Sequence, residues 1–242
     1  MLFRRDLAIF VGKTHECLSP PPMDSMFDKL LQLPLFQGLT LDDLTAILGK
    51  VQFHFAKHKA GSILAHAGEP CLRLLFIIKG KVEMITSSVS IPFQLKEYFP
   101  SPLLLEPHSI FGRDTTYRST YRAVDEVHTL SIDKTQVISV LFGYPIFVLN
   151  FLNIVSHRAQ VASIDPWSVT GGDVDSRIRS FMLSRIERPV GEKRLKIRME
   201  DLAKVIGTTR INISRALNAM QDAGLVELHR GEVVITRAEL LL

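Results

Sequence analysis

Along the 242-residue chain the spacing of apolar residues changes three times, and each change predicts a different kind of structure. Phe27, Leu30 and Leu31 share one helical face, Pro34 breaks it, and Leu41, Leu44, Ile47 and Leu48 form another. Thr40 is placed as the N-cap of that second helix, with Asp43 three residues on, and Gly49 as its stop. From Gln52 to about Ile132 the helical period gives way to short runs such as "SILAHAG", "LLFIIKGKVEMI", "FQLKEYF" and "VHTLSI". They carry β-branched and aromatic residues and are separated by Gly61, Gly68, Pro70, Gly80, Pro92 and Pro100, the pattern of an antiparallel roll or barrel. No long repeat or low-complexity tract interrupts it.

The helical period returns in "YPIFVLNFLNIVSHRAQVASIDPW". Val148, Phe151, Leu152, Val155, Ala159 and Ala162 fall on one face, and Ile146, Leu149, Ile154 and Val161 widen the stripe. A helix apolar on more than one side needs two partners. Self-association through Val148, Phe151, Leu152, Val155 and Ala159 is the economical arrangement; burial inside one subunit is the other. "SVTGGDVDSR" follows as a linker, loosest at Gly171–Gly172, and Ile178, Phe181, Met182 and Ile186 line an amphipathic helix stopped before Pro189.

Two short helices come next. "MEDLAKVIG" turns Leu202, Ala203 and Ile206 inward and ends at Gly207. Thr209 then caps "RINISRALNAMQDAG", in which Ile213, Ala216, Leu217 and Met220 face inward and Gly224 terminates. "LVELHRGEVVITRAEL" is a hairpin turning at Gly231. The fold class is therefore α+β. Its parts are an extension over 1–23, a β-roll domain over 24–141, a long helix over 142–167 and a winged helix-turn-helix over 168–242. The extension ends in "SPPP", through which no helix runs, and is read either as an arm or as an over-called translation start.

Composition narrows the class without deciding it. Hydrophobic residues at 46% and charged residues at 22% describe a globular chain, not a disordered one. A net charge of +4 permits nucleic acid without requiring it. Two cysteines, Cys17 and Cys71, argue against a disulfide-stapled secreted fold and are too few for a four-cysteine cluster within one chain. No apolar run approaches the roughly 20 residues of a membrane span, and the patch in "LFRRDLAIFVG" is short for a signal peptide. The expectation is a cytoplasmic protein with no membrane partner. Nothing assembles into a Ser/His/Asp, Cys/His or paired-carboxylate constellation, so an enzyme is not expected.

The candidate chemistry lies on the outward face of the second short helix: Arg210, Ile211, Asn212, Ser214, Arg215 and Asn218. A helix-turn-helix sends the first residues of its second helix into the DNA major groove, where they must be exposed and able to hydrogen-bond. Arginine reads guanine bidentately, which suits Arg210 and Arg215, and Asn212 has the chemistry for adenine. Thr208, Thr209 and Ser214 suit phosphate contacts, and His229 and Arg230 at the hairpin tip suit the DNA backbone. The competing reading is a merely solvated face, although glutamate and lysine would be more usual there.

"MEDLAKVIGTTRINISRALNAMQDAGLVELHRGEVVI" resembles the C-terminal domain of the cyclic-AMP receptor protein and fumarate–nitrate reductase regulator family. "AGSILAHAGEPCLRLLFIIKGKVEMI" is similar to that family's β-roll, and the helix from about Pro145 to Ala162 to its dimerisation helix. The resemblance runs from about Phe27 to Leu242. It implies a homodimeric transcription factor that binds double-stranded DNA, works with RNA polymerase and carries a sensor for a small-molecule effector. It places Arg210 and Arg215 at base-reading positions, and puts Ile211 where well-known members have a glutamate that accepts from cytosine. That departure implies a different operator, with a thymine methyl as a fitting contact for Ile211.

The same resemblance makes cyclic AMP an unexpected ligand. The family's nucleotide pocket uses a phenylalanine-glycine-glutamate run and then an arginine-serine pair. Here the run is "IFGRDTTYRSTYRAV": Phe111 and Gly112 fit, Arg113 replaces the ribose-binding glutamate, and the loop before Arg118 is shortened. Arg113, Arg118 and Arg122 are read either as a cluster for another anion or as arginines solvated or paired with Asp114 and Asp125. The effector and any cofactor are unassigned. Two alternatives remain: a haem or other small-molecule sensor, with Cys71 or His108 as ligand, and a β-barrel metalloenzyme with an appended domain. His54 and His58, on one strand face roughly 13 Å apart, are too far apart to chelate one ion together.

Overall fold

The structure, a computed structural model, describes residues 16–17, 28–88, 92–163 and 172–242. The "SPPP" break and the Gly171 half of the linker lie outside them. Within the extension, Glu16–Cys17 (β1) pairs antiparallel with His54–His58 (β2), Glu16 opposite Lys57.

Leu41–Lys50 (α1) begins as its sequence demands: Thr40 Oγ1 accepts from Asp43 N–H while Asp43 reaches back to Thr40 N–H. Gly49 does not stop it. The helix runs through Lys50 and ends when Val51 turns extended, since Gly49 keeps a helical conformation and the next strand takes over.

The roll then forms from Ile63–Ala65 (β3), Arg73–Lys79 (β4), Lys81–Ser88 (β5), Phe93–Pro100 (β6), Leu103–Leu105 (β7), Thr120–Ala123 (β8) and Val127–Asp133 (β9). The order β1-β2-β9-β4-β7 makes one antiparallel sheet, and β6-β5-β8-β3 belong to a second. "LLFIIKGKVEMI" is therefore not a hairpin: β4 pairs with β7 and β9, β5 with β6 and β8, and the chain changes sheet at Gly80. Gly80 has φ +96°, and a Cβ there would stand 2.5 Å from the Glu126 carbonyl oxygen, so only glycine fits the crossing. Between the sheets lies an apolar core that includes Leu74, Phe76, Val82, Leu130 and Ile132.

Lys134–Ser139 (α2) leads to the long helix Pro145–Ser163 (α3). Phe147 and Phe151 turn into the roll: Phe147 meets Phe36 edge-on at 5.4 Å, and Phe151 meets Phe111 at 5.7 Å and Phe142 at 5.6 Å. Burial within one subunit and an outward apolar face are both realised, on different sides of the helix. Leu149 and Leu152 are more than half exposed.

The C-terminal unit comprises Val174–Leu183 (α4), Lys193–Ile197 (β10), Met199–Ile206 (α5), Arg210–Asp222 (α6), Val226–His229 (β11) and Glu232–Ile235 (β12). Its core gathers Ile178, Phe181 and Met182 with Leu202, Ile213, Leu217, Met220 and Ile235. β10 pairs on one edge with β12 and on the other with β6, so the wing and the roll share one seven-stranded sheet, β11-β12-β10-β6-β5-β8-β3. Along β6 the side chains of Phe93, Leu95, Glu97 and Phe99 are buried in alternation. Phe93 and Leu95 enter the C-terminal core and Phe99 the roll core, so this one strand serves both.

Candidate nucleic-acid interface

α5 and α6 are held at a fixed angle by local chemistry. Gly207 leaves α5 in the left-handed region at φ +69°, and Thr209 caps α6 by accepting from Asn212 N–H at 3.3 Å. Arg177 of α4 donates to the Ile206 carbonyl at 2.9 Å, placing a cation at the C-terminal end of α5. Asp201, buried in the first turn of α5, takes Arg198 Nε at 2.7 Å, and that guanidinium holds its carboxyl below the usual range. Ile213, Leu217 and Met220 then anchor one side of α6 completely, and Ala216 packs beside them.

Among the described residues, the opposite side of α6 is left exposed. Arg210, Ile211, Ser214, Arg215 and Asn218, with Met199 of α5, line an open concavity of about 540 Å³. Ile211 is 71% exposed, an uncommon place for a large aliphatic side chain. Arg210 remains exposed although its Nε lies 3.5 Å from Glu200, a surface pair worth little. Asn212 differs from the rest: it is half-buried and its Nδ2 donates to Thr208 Oγ1 at 3.1 Å. The amide offered to adenine is thus engaged in tying the turn to α6. Thr208 is half-buried by the same bond, and Thr209 is exposed. At the wing, His229 pairs across with Glu232, leaving the two-residue turn Arg230–Gly231, with Gly231 at φ +77° and both His229 and Arg230 exposed.

The roll interior is arranged otherwise than the arginine cluster implied. Residues 118–123 alternate outward and inward, so Arg118 and Arg122 are exposed while Ser119, Tyr121 and Ala123 are buried. Arg113 is exposed as well, and Arg122 faces Glu83 with Nη1 3.7 Å from Oε2. The three guanidinium groups therefore belong to the surface; strand alternation keeps them from converging inside. Phe111 packs on Phe142 and Phe151, with Lys134 Nζ 5.0 Å above its ring, and Gly112 is an exposed turn at φ +100°.

One interior anion of the roll is Glu106, which the sequence reading did not single out. It is 3% exposed and has φ +35°, the one non-glycine positive φ among the described residues. A side chain held in that region costs about 1–3 kcal/mol, which its surroundings must offset. Its Oε2 accepts from Arg118 N–H at 2.8 Å and Ser109 Oγ at 3.0 Å; its Oε1 accepts from Ser119 N–H at 2.9 Å and Tyr121 OH at 3.1 Å. Burial, reinforced by Glu106, pushes the Tyr121 phenol well up. The signal available in the sequence was weak: a glutamate after the apolar run "LLL" and before proline.

Haem and metal ligation find less support in the geometry. Cys71 is buried, its Sγ 3.7 Å from the Arg73 carbonyl, and burial pushes its thiol up, away from the thiolate a metal needs. His54 pairs with Asp133 at 3.2 Å, and His58 Nε2 lies 2.9 Å from Thr129 Oγ1. Among the described residues no three His, Cys, Asp or Glu groups come together as a metal site. No helix among them is long and apolar enough to cross a membrane.

A helix pair with an exposed basic and apolar recognition face, flanked by a two-stranded wing and attached to an antiparallel roll, defines a DNA-binding transcription regulator with a cyclic-nucleotide-binding-like sensor domain. Residues 176–242 match the family model of the Crp-like helix-turn-helix domain. The chain is 24% identical over 213 residues to the cyclic AMP receptor protein of Thermus thermophilus, covering 86% of this chain and 94% of that one. It is 20% identical over 187 residues to the cAMP-activated global transcriptional regulator CRP of Salmonella typhimurium, covering 75% and 89%. Among solved structures, that of the Thermus thermophilus catabolite activator protein aligns with a TM-score of 0.49 at 21% identity, over 86% of this chain and 96% of that one. The domain match and these relatives support a place for the chain in the cyclic-AMP receptor protein and fumarate–nitrate reductase regulator family.

Proposed function

We propose that the protein is a homodimeric, sequence-specific regulator in which α6 reads the major groove and the wing steadies it on the backbone. The observation that carries this reading is the free face of α6: four hydrogen-bonding side chains and one aliphatic, on a helix whose other face is immobilised. Arg210 and Arg215 take guanine, Ile211 a thymine methyl, and Ser214 and Asn218 the flanking edges or phosphates. Thr208, Thr209, His229 and Arg230 serve the sugar-phosphate backbone. Asn212 positions Arg210 and Ile211 through Thr208 and does not read a base itself.

Two copies of the chain place two such helices on neighbouring major grooves of a near-palindromic site. Leu149 and Leu152 of α3, flanked by the half-buried Val148 and Val155 and the exposed Ala159, form the apolar face that meets the partner. Phe151 is withdrawn from that role, because its ring is spent on Phe111 and Phe142 in its own subunit. The relatives named for cyclic AMP suggest a nucleotide effector; the exposed Arg113 and the absence of its glutamate equivalent argue against that ligand here. Cytoplasmic location and action with RNA polymerase follow from this reading.

Selection of bound fragments from random duplex DNA tests it, followed by competition binding of single-base variants. Arg215→Ala should cost about 1–3 kcal/mol at the selected site and relax preference at one base pair. Equal weakening on every sequence would make Arg215 a phosphate contact, and no selected sequence at all would remove the proposal.

A further inference from the structure

Two acidic residues lie in the first turn of α5, and they face different partners. Asp201 is buried and pairs with Arg198 at 2.7 Å and Lys204 at 3.7 Å, so it serves its own helix. Glu200, beside it, turns outward and reaches across to α6. Its Oε1 lies 3.5 Å from Arg210 Nε, and both side chains are more than half exposed. Met199, one residue earlier, lines the same concavity as Arg210, Ile211 and Arg215. The start of α5 therefore borders the face that α6 offers to DNA.

An exposed pair of this kind adds little to folding, but its place gives it other consequences. In a helix-turn-helix the first helix crosses the DNA backbone while the start of the second enters the groove. Glu200 thus stands where phosphates and Arg210 both come close. A bidentate grip on guanine needs the guanidinium fork held in one plane, and a long, freely rotating side chain must give up rotamers to supply it. The carboxylate approaches Arg210 at Nε, the nitrogen left over by a grip through the two terminal nitrogens. It can orient the fork and stay in place once the fork is engaged. An arginine left loose would instead settle on any nearby phosphate, a contact that carries no sequence information. The negative charge of Glu200 also opposes phosphate on every sequence alike.

We infer that Glu200 is a specificity-determining residue, which positions Arg210 for a base edge and withholds it from the phosphate backbone. The inference deepens the proposed reading of α6 and rests on it. A role confined to α5, as a carboxylate at the positive end of its helix, predicts a change in stability and none in base preference.

The full chain is titrated with its selected duplex, with single-base variants at the pair that Arg210→Ala relaxes, and with non-cognate duplex. Glu200→Ala should lower the preference at that pair about 3–10-fold, a part of the roughly 5–150-fold that a bidentate contact supplies. It should also raise affinity for non-cognate duplex by roughly 2–5-fold, the scale of one exposed charge interaction. Glu200→Gln removes the same charge but keeps an acceptor oxygen, so it should show the same rise with a smaller loss of preference. In an Arg210→Ala background, Glu200→Ala should leave the remaining preference where it is. Asp222→Asn makes the same charge change at the far, exposed end of α6 and should leave the preference intact. An unchanged preference in Glu200→Ala, with or without a change in Tm, would overturn the inference. So would a loss that persists when residue 210 is already alanine, or a non-cognate affinity that rises in neither variant. If Arg210→Ala relaxes no base pair, Glu200 has no reader to position and the inference falls, while the selected site leaves the proposed regulator standing. Failure to select any sequence defeats that regulator, and the inference with it.

Discussion

His108 shows how a single side chain couples the sensor interior to pH. It sits in the 3₁₀ turn after Glu106, half-buried, and its Nδ1 has no hydrogen-bond partner among the described residues. Burial first, and Arg158 second, lower its pKa below the 6.5 of free imidazole. A depressed imidazole leaves the unfolded chain with more bound protons as pH falls through the unfolded value. Its stabilising contribution is therefore full above pH 6.5 and is lost as pH falls through the lower folded value. Glu187 acts with the opposite sign: burial raises its carboxyl above 4.5, and its share is lost as pH rises through that higher value. The measurement is Tm against pH for wild type and His108→Gln. The variant should lose stability less steeply as pH drops below 6.5; parallel curves would show that His108 carries no such charge cost.

Strand β6 is the element on which the architecture turns, because one face of it belongs to two cores. Its Glu97 stands directly opposite Lys193 of β10, with Nζ 3.2 Å from Oε1 and both side chains almost wholly buried. Glu187 N–H also donates to Glu97, at 3.0 and 3.1 Å to the two oxygens. Around this pair, Phe93 meets Phe181 edge-on at 6.2 Å and Arg185 lies 3.9 Å above the Phe181 ring. A buried pair matters most when half of it is removed, since the remaining charge is stranded. Lys193→Met alone should cost about 3–5 kcal/mol in denaturant unfolding. The double change Lys193→Met, Glu97→Gln should recover much of it. Equal stability of the single and double variants would mean that the two charges do not act as a unit.

For the whole molecule, the shared sheet ties the orientation of α6 to the roll, and α3 ties the roll to a second copy in the proposed dimer. The exposed side of α3 carries Leu149 and Leu152 where a solvent-facing helix would place charge. Leu149→Asp with Leu152→Asp should yield a folded monomer by sedimentation, with DNA affinity reduced because two half-sites are no longer bound together. Phe151→Asp should instead unfold the chain, since that ring is buried among Phe111 and Phe142. A doubly charged variant that keeps the wild-type mass would remove α3 as the dimer helix.

What the order of residues determined alone is whatever depends on neighbours a few positions away. Apolar period, capping and glycine placement are local energies, and they announced α1 from Thr40, the α5–turn–α6 unit around Gly207 and Thr209, and the wing turn at Gly231. The exposed face of α6 was legible for the same reason, because Ile213, Leu217 and Met220 name its buried side. Partners distant in sequence were decided only by tertiary structure. Nothing local distinguishes Glu106 from any other glutamate until β8 brings the amides of Arg118 and Ser119 beside it. Glu97 and Lys193 likewise read as ordinary surface charges until β6 and β10 pair and exclude water from both. Long-range pairing sets which polar groups lose their solvent, and that loss is what turns an ordinary acid or base into a structural ligand.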